Sequence, residues 1–290
     1  MNKKIVVLLG GLSGERKISF LTGMACSRAL KKRGYKVINL DARKNFASKL
    51  QKINPDIVFN ALHGKYGEDG FVQSILELLR IPYTHSGVVS SSLAMDKELS
   101  RIIFKKNNLK VPKYFLIKEK QQKHMEKKIE FPVVIKPPNE GSSLGVYICN
   151  NKKDYKKKLI TLMKNYERVI VEKYIPGREI QVAVMGNKAL GAIELVPKRK
   201  FYDYTAKYSS KAKTKHIMPA KLSKKKYNEV LSIAKKAHRL LGCRGVTRSD
   251  FRFFKGNFYL LETNTQPGMT KLSLVPEIAN YSGINFEDLV

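Results

Sequence analysis

Apolar residues in the first third of the chain fall into short blocks separated by helix-periodic stretches. Ile5 to Leu9 is an unbroken apolar run that stops at Gly10-Gly11, as expected of a buried strand. Ser19 to Arg33 carries helical spacing and is closed by Gly34. Tyr35 to Leu40 and Ile57 to Leu62 read as strands, and Phe71 to Leu79 reads as a helix before the Ile81-Pro82-Tyr83 segment. Strands alternating with helices predict a parallel sheet with crossover helices, so residues 1–95 read as a Rossmann-like lobe.

Beyond Asp96 the pattern changes. A helix is predicted to about Asn107, and Val111-Pro112 breaks it. The polar stretch 118–130 is a weakly specified helix or loop, followed by a strand from Phe131 to Ile135 and a turn-rich segment from Pro137 to Gly145. A helix over 151–165 and a strand from Val169 to Glu172 complete a middle lobe, residues 96–178. The last lobe, 179–290, opens with the strand Glu179 to Val184 and a hairpin turn at 185–188. The aperiodic segment 198–215 is a long loop, a length that is usually functional or disordered. Ser223 caps a helix whose Tyr227, Val230, Leu231, Ala234, Ala237 and Leu241 share one face, and Gly242 ends it. Two strands then flank Lys255-Gly256-Asn257. At 290 residues the chain exceeds the usual domain of ~100–200 residues, so lobes with separate cores are expected.

Composition narrows the class. The hydrophobic fraction, 43%, is globular, and no run approaches the ~20 apolar residues of a membrane span. The start is basic, but the apolar run behind it is too short for a signal-peptide core, which predicts a cytoplasmic protein without membrane insertion. Cys26, Cys149 and Cys243 have neither disulfide-framework nor zinc spacing. The net charge is +32, from 56 Lys and Arg against 24 Asp and Glu. Its clusters (KKRGYK, KEKQQKHMEKK, KKDYKKK, SKKKY) are scattered over separate segments, which argues for a general field that draws in anions rather than a nucleic-acid site.

Against that excess of cations, the stretch LLETNTQPGM (260–269) stands out. A three-residue loop at 255–257 would set Asp250 opposite Glu262, with Asn264 on the same face; a two- or four-residue loop would shift the pairing by one. Facing carboxylates repel unless a cation lies between them, and an all-oxygen set suits Mg²⁺. Upstream, the strand 131–135 ends in Lys136, and Glu140 to Val146 supplies small residues whose N–H groups can approach phosphate oxygens, although the Walker A order is absent.

Eight motifs occur in one order: GGLSGERKIS (10–19), ALHGKYGEDG (61–70), MDKELSR (95–101), VIKPPNEGSSLGV (134–146), VEKYIPGREI (171–180), FYDYTAKY (201–208), TRSDF (247–251) and ETNTQPGMTKLSLVP (262–276). In this the chain resembles the D-alanine–D-alanine ligases over essentially its full length. The resemblance implies an α/β fold, a Rossmann-like N-terminal lobe followed by a two-lobed ATP-grasp fold. It implies ATP-dependent joining of two D-alanine molecules through a D-alanyl phosphate, with release of ADP and phosphate, for peptidoglycan.

Roles follow by the same resemblance. Lys97 and Lys136 match the holders of the ATP phosphates, and Lys207 a further nucleotide contact. Glu172, Lys173, Tyr174 and Ile175 match the adenine-binding hinge, and Glu179 the ribose-binding acid. Asp250, Glu262 and Asn264 match the ligands of two Mg²⁺, with Mn²⁺ as a substitute. Glu15 matches the carboxylate that takes the first D-alanine's ammonium, with Ser142 and Tyr208 as its partners tying loop 198–215 shut. His63 matches the family's histidine near that substrate's carboxylate. Arg248 with the Gly268 N–H matches the oxyanion stabilisers, and Ser273 and Leu274 the binders of the second D-alanine's carboxylate. Partners are D-alanine and ATP, without nucleic acid, and a homodimer stays open. The chain stops at Val290, before many members of the family finish their last helix, which implies a loosely packed end. The rivals are an ATP-grasp ligase of other acid or amine specificity, D-lactate included, and a basic nucleic-acid binder on an inactive ligase scaffold. The tyrosine pattern of FYDYTAKY argues against D-lactate, and retention of the motif acids argues against an inactive scaffold.

Overall fold

The computed structural model describes residues 3–118, 129–142, 144–197, 214–270 and 272–290. The first sheet holds β1 (Lys4–Leu9), β2 (Lys36–Asp41) and β3 (Ile57–Asn60) in the order β2-β1-β3, all parallel. The apolar run Ile5 to Leu9 forms the central strand, buried on both faces. Four helices accompany it: α1 (Arg16–Lys32), α2 (Phe46–Ile53), α3 (Phe71–Leu78) and α4 (Val88–Met95). Of these, α2 and α4 were not expected. The first carries only Phe46, Leu50 and Ile53 as an apolar stripe among polar residues, and α4 contains three consecutive serines, which favour caps and turns over helix interiors.

The middle sheet is antiparallel, with β4 (Tyr114–Lys118), β5 (Val133–Lys136), β6 (Tyr147–Cys149) and β7 (Arg168–Lys173) in the order β4-β7-β5-β6. Before it runs α5 (Lys97–Lys106), whose N-cap Asp96 accepts from the Glu98 and Leu99 backbone N–H groups. The helix α6 (Lys152–Met163) covers the sheet with Tyr155, Leu159 and Leu162.

The third sheet has five antiparallel strands: β8 (Arg178–Met185), β9 (Lys188–Val196), β10 (Lys215–Ile217), β11 (Val246–Phe254) and β12 (Asn257–Asn264), ordered β10-β9-β8-β11-β12. The predicted helix at Ser223 is α7 (Lys224–Leu240), and α8 (Leu274–Tyr281) and α9 (Phe286–Leu289) end the chain.

The β11–β12 hairpin corrects the expected three-residue loop. Phe254 pairs with Asn257, so the turn is the two residues Lys255 and Gly256, with φ of 46° and 75°. Two left-handed residues match the twist of the flanking strands. A β-bulge between Asp250 and Phe251 then shifts the register: Phe251 pairs with Leu260 and Asp250 with Glu262, leaving Leu261 as the extra residue. Asp250 does face Glu262, but a bulge brings it there.

Separate cores were expected for each lobe, and the first cluster departs from this. Val7 and Leu9 of β1 and Cys26 and Leu30 of α1 share one buried cluster with Leu190 and Ile193 of β9 and with Val275 and Ile278 of α8. The end of the chain is also packed, against expectation. Leu289 is buried in that cluster, Phe286 and Val290 pack on it, and Glu287 and Asp288 pair with Lys32 at the end of α1 and with Arg33, its C-cap. A short helix can be anchored by one face when a neighbouring helix supplies the other.

Because this cluster joins the first sheet to the last, Ile278→Ala is expected to cost about 2–5 kcal/mol. It should lower the whole thermal transition as one step. Calorimetry that splits into two transitions, with only the later residues affected, would contradict the shared core.

Candidate active site

Two clefts meet between the sheets, and Lys97, Gly141 and Glu262 line both. The first cleft is also lined by Glu15, His63, Ser142, Arg248, Asn264 and Gly268. Glu15 stands at the N-cap of α1 yet makes no side-chain cap bond; its carboxylate instead accepts from the Ser142 hydroxyl. A dipole-favoured helix-start acid would remain at the helix end. Space is tight here, since a Cβ on Gly141 would lie 2.7 Å from Glu15 Oε1. Ser142 itself has φ 49°, a left-handed conformation uncommon outside glycine and typical of functional turns.

His63 is buried, with Nδ1 3.0 Å from Glu68 Oε1 and Nε2 2.9 Å from Thr22 Oγ1. Both ring nitrogens are engaged, so its face and position, not a free nitrogen, border the cleft. Ser273 and Leu274 do not line it. Ser273 Oγ accepts from the Thr270 N–H at 2.9 Å and lies against Gly268, while the Leu274 side chain is buried in the first core.

The second cleft is lined by Lys136, Glu172, Lys173, Tyr174, Ile175, Glu179, Asp250 and Arg252, with apolar walls from Val134, Val146 and Leu261. Lys136 ends β5 and donates to Glu172 Oε1 at 2.9 Å. Burial pushes the Lys136 ammonium down to about 8, opposed by the Glu172 charge. Burial pushes the Glu172 carboxyl up, but Arg101 and Lys136 outweigh it and hold it below the ordinary range. Glu179 is buried and lies 3.2 Å from Arg252 Nη2.

The acids at the junction are held by cations. Arg248 donates to both oxygens of Asp250, at 2.7 and 3.0 Å, and Lys97 lies 3.3 Å from Glu262 and donates to the Glu140 carbonyl at 2.6 Å. Asn264 Oδ1 accepts from the Gln266 N–H at 2.9 Å, which orients it. Asp250, Glu262 and Asn264 thus offer oxygen donors only, the donor chemistry of Mg²⁺.

Two family models match the chain: D-ala D-ala ligase N-terminus over residues 40–86 and D-ala D-ala ligase C-terminus over residues 103–290. The chain belongs to the D-alanine–D-alanine ligase family. It is 55% identical to the D-alanine–D-alanine ligase of Pelagibacter ubique (strain HTCC1062), covering 100% of this chain and 96% of that protein. Among solved structures, the D-alanine–D-alanine ligase from Bacillus anthracis complexed with ATP superposes with a TM-score of 0.88 at 30% identity, covering 99% of this chain and 94% of that one. The VanG D-Ala:D-Ser ligase from Enterococcus faecalis gives 0.85 at 27% identity, covering 100% and 97%. The fold is that of this ligase family, α/β with an ATP-grasp pair of lobes.

Most ligase-like residues expected from the motifs converge on these two clefts, apart from Ser273 and Leu274. Tyr208, Lys207 and most of loop 198–215 lie outside the described residues. Sequence reasoning missed Arg101, Arg252, Thr22 and Glu68. A signal existed for Arg101, which stands one helical turn after Lys97 in MDKELSR, so the two share a face.

A polyphosphate docked on Lys136 would raise its lowered pKa again. Nucleotide binding is therefore expected to take up a proton above pH ~8 and almost none near neutrality, with affinity falling as pH rises. Calorimetric ADP titrations in buffers of different ionisation enthalpy measure the uptake, and Lys136→Met should abolish it.

Proposed function

We propose that this chain joins two D-alanine molecules at the expense of ATP, with the two clefts as amino-acid and nucleotide sites. The observation that carries the reading is their junction. Lys97, Gly141 and Glu262 line both clefts, so an acid in one can meet a phosphate from the other. The strands of each sheet fall almost wholly within one of the ranges 1–95, 96–178 and 179–290, which supports taking these as an N-terminal substrate lobe and the two ATP-grasp lobes.

In this reading Glu15 takes the ammonium of the first D-alanine, positioned by Ser142, with His63 beside the bound substrate and its ring held still by Glu68 and Thr22. The hinge from Glu172 to Ile175 receives adenine, Glu179 the ribose, and Lys97 and Lys136 the phosphates. Mg²⁺ held by Asp250, Glu262 and Asn264 would neutralise charge on the transferring phosphoryl group. The carboxylate of the first D-alanine attacks the γ-phosphate, giving D-alanyl phosphate and ADP. The amine of the second attacks the acyl carbon, and the Arg248 guanidinium with the Gly268 N–H stabilises the tetrahedral oxyanion before phosphate leaves. By the resemblance the second substrate's carboxylate falls to Ser273 and Leu274, of which Ser273 lies against Gly268, a lining residue of the first cleft. Tyr208 and Lys207, which lie outside the described residues, are assigned to the site by the resemblance alone. No helix among the described residues is long and apolar enough to cross a membrane. In this reading the chain is a cytoplasmic ligase supplying peptidoglycan synthesis, with a homodimer as one assembly.

Phosphate release measured in parallel with D-alanine, L-alanine, D-serine and D-lactate tests the reading. Release should require D-alanine and Mg²⁺, with D-alanyl-D-alanine and ADP as products. AMP as product, or preference for D-serine as second substrate, would overturn the assignment. Glu15→Gln removes the counter-charge of one ammonium, an interaction worth roughly 1.5–3 kcal/mol, so the KM for the first D-alanine should rise about 10- to 100-fold. An unchanged KM would remove Glu15 from that role. Glu262→Gln should suppress turnover far more than folding, because its charge is needed mainly with metal and triphosphate bound. A collapsed melting temperature with normal activity in the folded fraction would make Glu262 structural.

A further inference from the structure

Arg101 is fully buried, and it lines neither cleft. Arginine almost never occupies such a place unless paired. Its Nη2 pairs with Glu172 Oε2, while Lys136 takes the other carboxylate oxygen, Oε1, at 2.9 Å. The guanidinium lies over the Tyr114 ring, 5.2 Å from its centroid, and Nη2 also reaches the carbonyl of Leu261 at 3.4 Å. Leu261 is the extra residue of the β12 bulge, so the irregularity that sets Asp250 against Glu262 also presents a carbonyl to Arg101. One buried carboxylate therefore carries two cations of different kinds. Arg101 is walled in by β4, β7 and β12; Lys136 faces the nucleotide cleft.

We propose that Arg101 is a positioning residue for nucleotide binding: it is the fixed counter-ion of Glu172, which leaves Lys136 free to exchange that carboxylate for the phosphates of a bound nucleotide. The inference rests on the reading of Lys136 as a phosphate holder. If Lys136 were the sole partner of Glu172, recruiting it to a phosphate would strand an ionised carboxylate that is only 4% exposed, and nucleotide binding would bear that penalty. With Arg101 in place Glu172 stays paired in both arrangements. The planar, permanently charged guanidinium suits the fixed role, and the flexible ammonium suits the exchanging one. The helix α5 divides the labour along one face: Lys97 reaches Glu262 at the junction of the clefts, and Arg101, one turn later, secures Glu172 behind the nucleotide.

The test is ADP affinity by calorimetry beside the KM for D-alanine. Arg101→Met should weaken ADP by roughly ten-fold or more, the scale of a buried charge-assisted contact, and change the D-alanine KM by less than about two-fold. Arg101→Lys should recover part of the loss, because it restores the charge but not the planar group over Tyr114. In a Glu172→Gln background, where no carboxylate needs a fixed counter-ion, adding Arg101→Met should change ADP affinity little further. That pair of variants also carries the test if Arg101→Met alone fails to fold, because the double variant buries no lone carboxylate. Equal losses for ADP and D-alanine, or a full additional loss in the Glu172→Gln background, would overturn the proposal. Lys136→Met separates the two readings: if it weakens ADP while Arg101→Met does not, the role of Arg101 alone is wrong. If Lys136→Met leaves ADP affinity unchanged, the phosphate-holding reading falls and the proposal with it.

Discussion

The neutralisation of carboxylates that the fold gathers into one place is the constraint on which the site depends. Glu172, Glu179, Asp250 and Glu262 all line the second cleft. Left alone they would repel one another and would be costly to desolvate. Each is met by a cation: Glu172 by Lys136 and Arg101, Glu179 by Arg252, Asp250 by Arg248, and Glu262 by Lys97. In a chain of formal charge +32 these pairings are selective, because most lysines stand on the surface and only a few are turned inward.

Helix α5 illustrates how the pairing organises the fold. Its N-cap Asp96 and first-turn Glu98 bind Arg168 at the start of β7, and Arg101 binds Glu172 near the end of that strand. Lys97 and Arg101 also reach β12 of the third sheet, through Glu262 and the Leu261 carbonyl. One short helix thus ties the middle sheet to the last by charge-assisted contacts, while the shared apolar cluster ties the last sheet to the first.

The β11–β12 hairpin shows how local and tertiary demands combine. Lys255-Gly256 is a two-residue turn that by itself would place Asp250 one residue out of register with Glu262. The bulge at Leu261 restores the pairing and bends the strand. Without it, side-chain alternation would turn the acids to opposite faces, since a shift of one residue reverses every side chain.

Much of this was legible in the residues themselves. Apolar runs and helical periodicity determine β1, β5, α5 and α7, because burial on both faces or on one stripe leaves a local signature. The eight ordered motifs determine the family, and with it most of the residues that line the clefts. Other features carried no local signal. The helix α2 forms against weak propensity because it covers the first sheet with Leu50, α4 because its Ala94 joins the core of the third sheet beside α5, and the end of the chain packs because α1 offers it a surface. The bulge at Leu261, the shared core of the first and last sheets, and the burial of Arg101 against Glu172 join residues far apart in sequence. Whether a charged side chain is solvated or paired inside depends on what stands opposite it, and only the folded chain decides that.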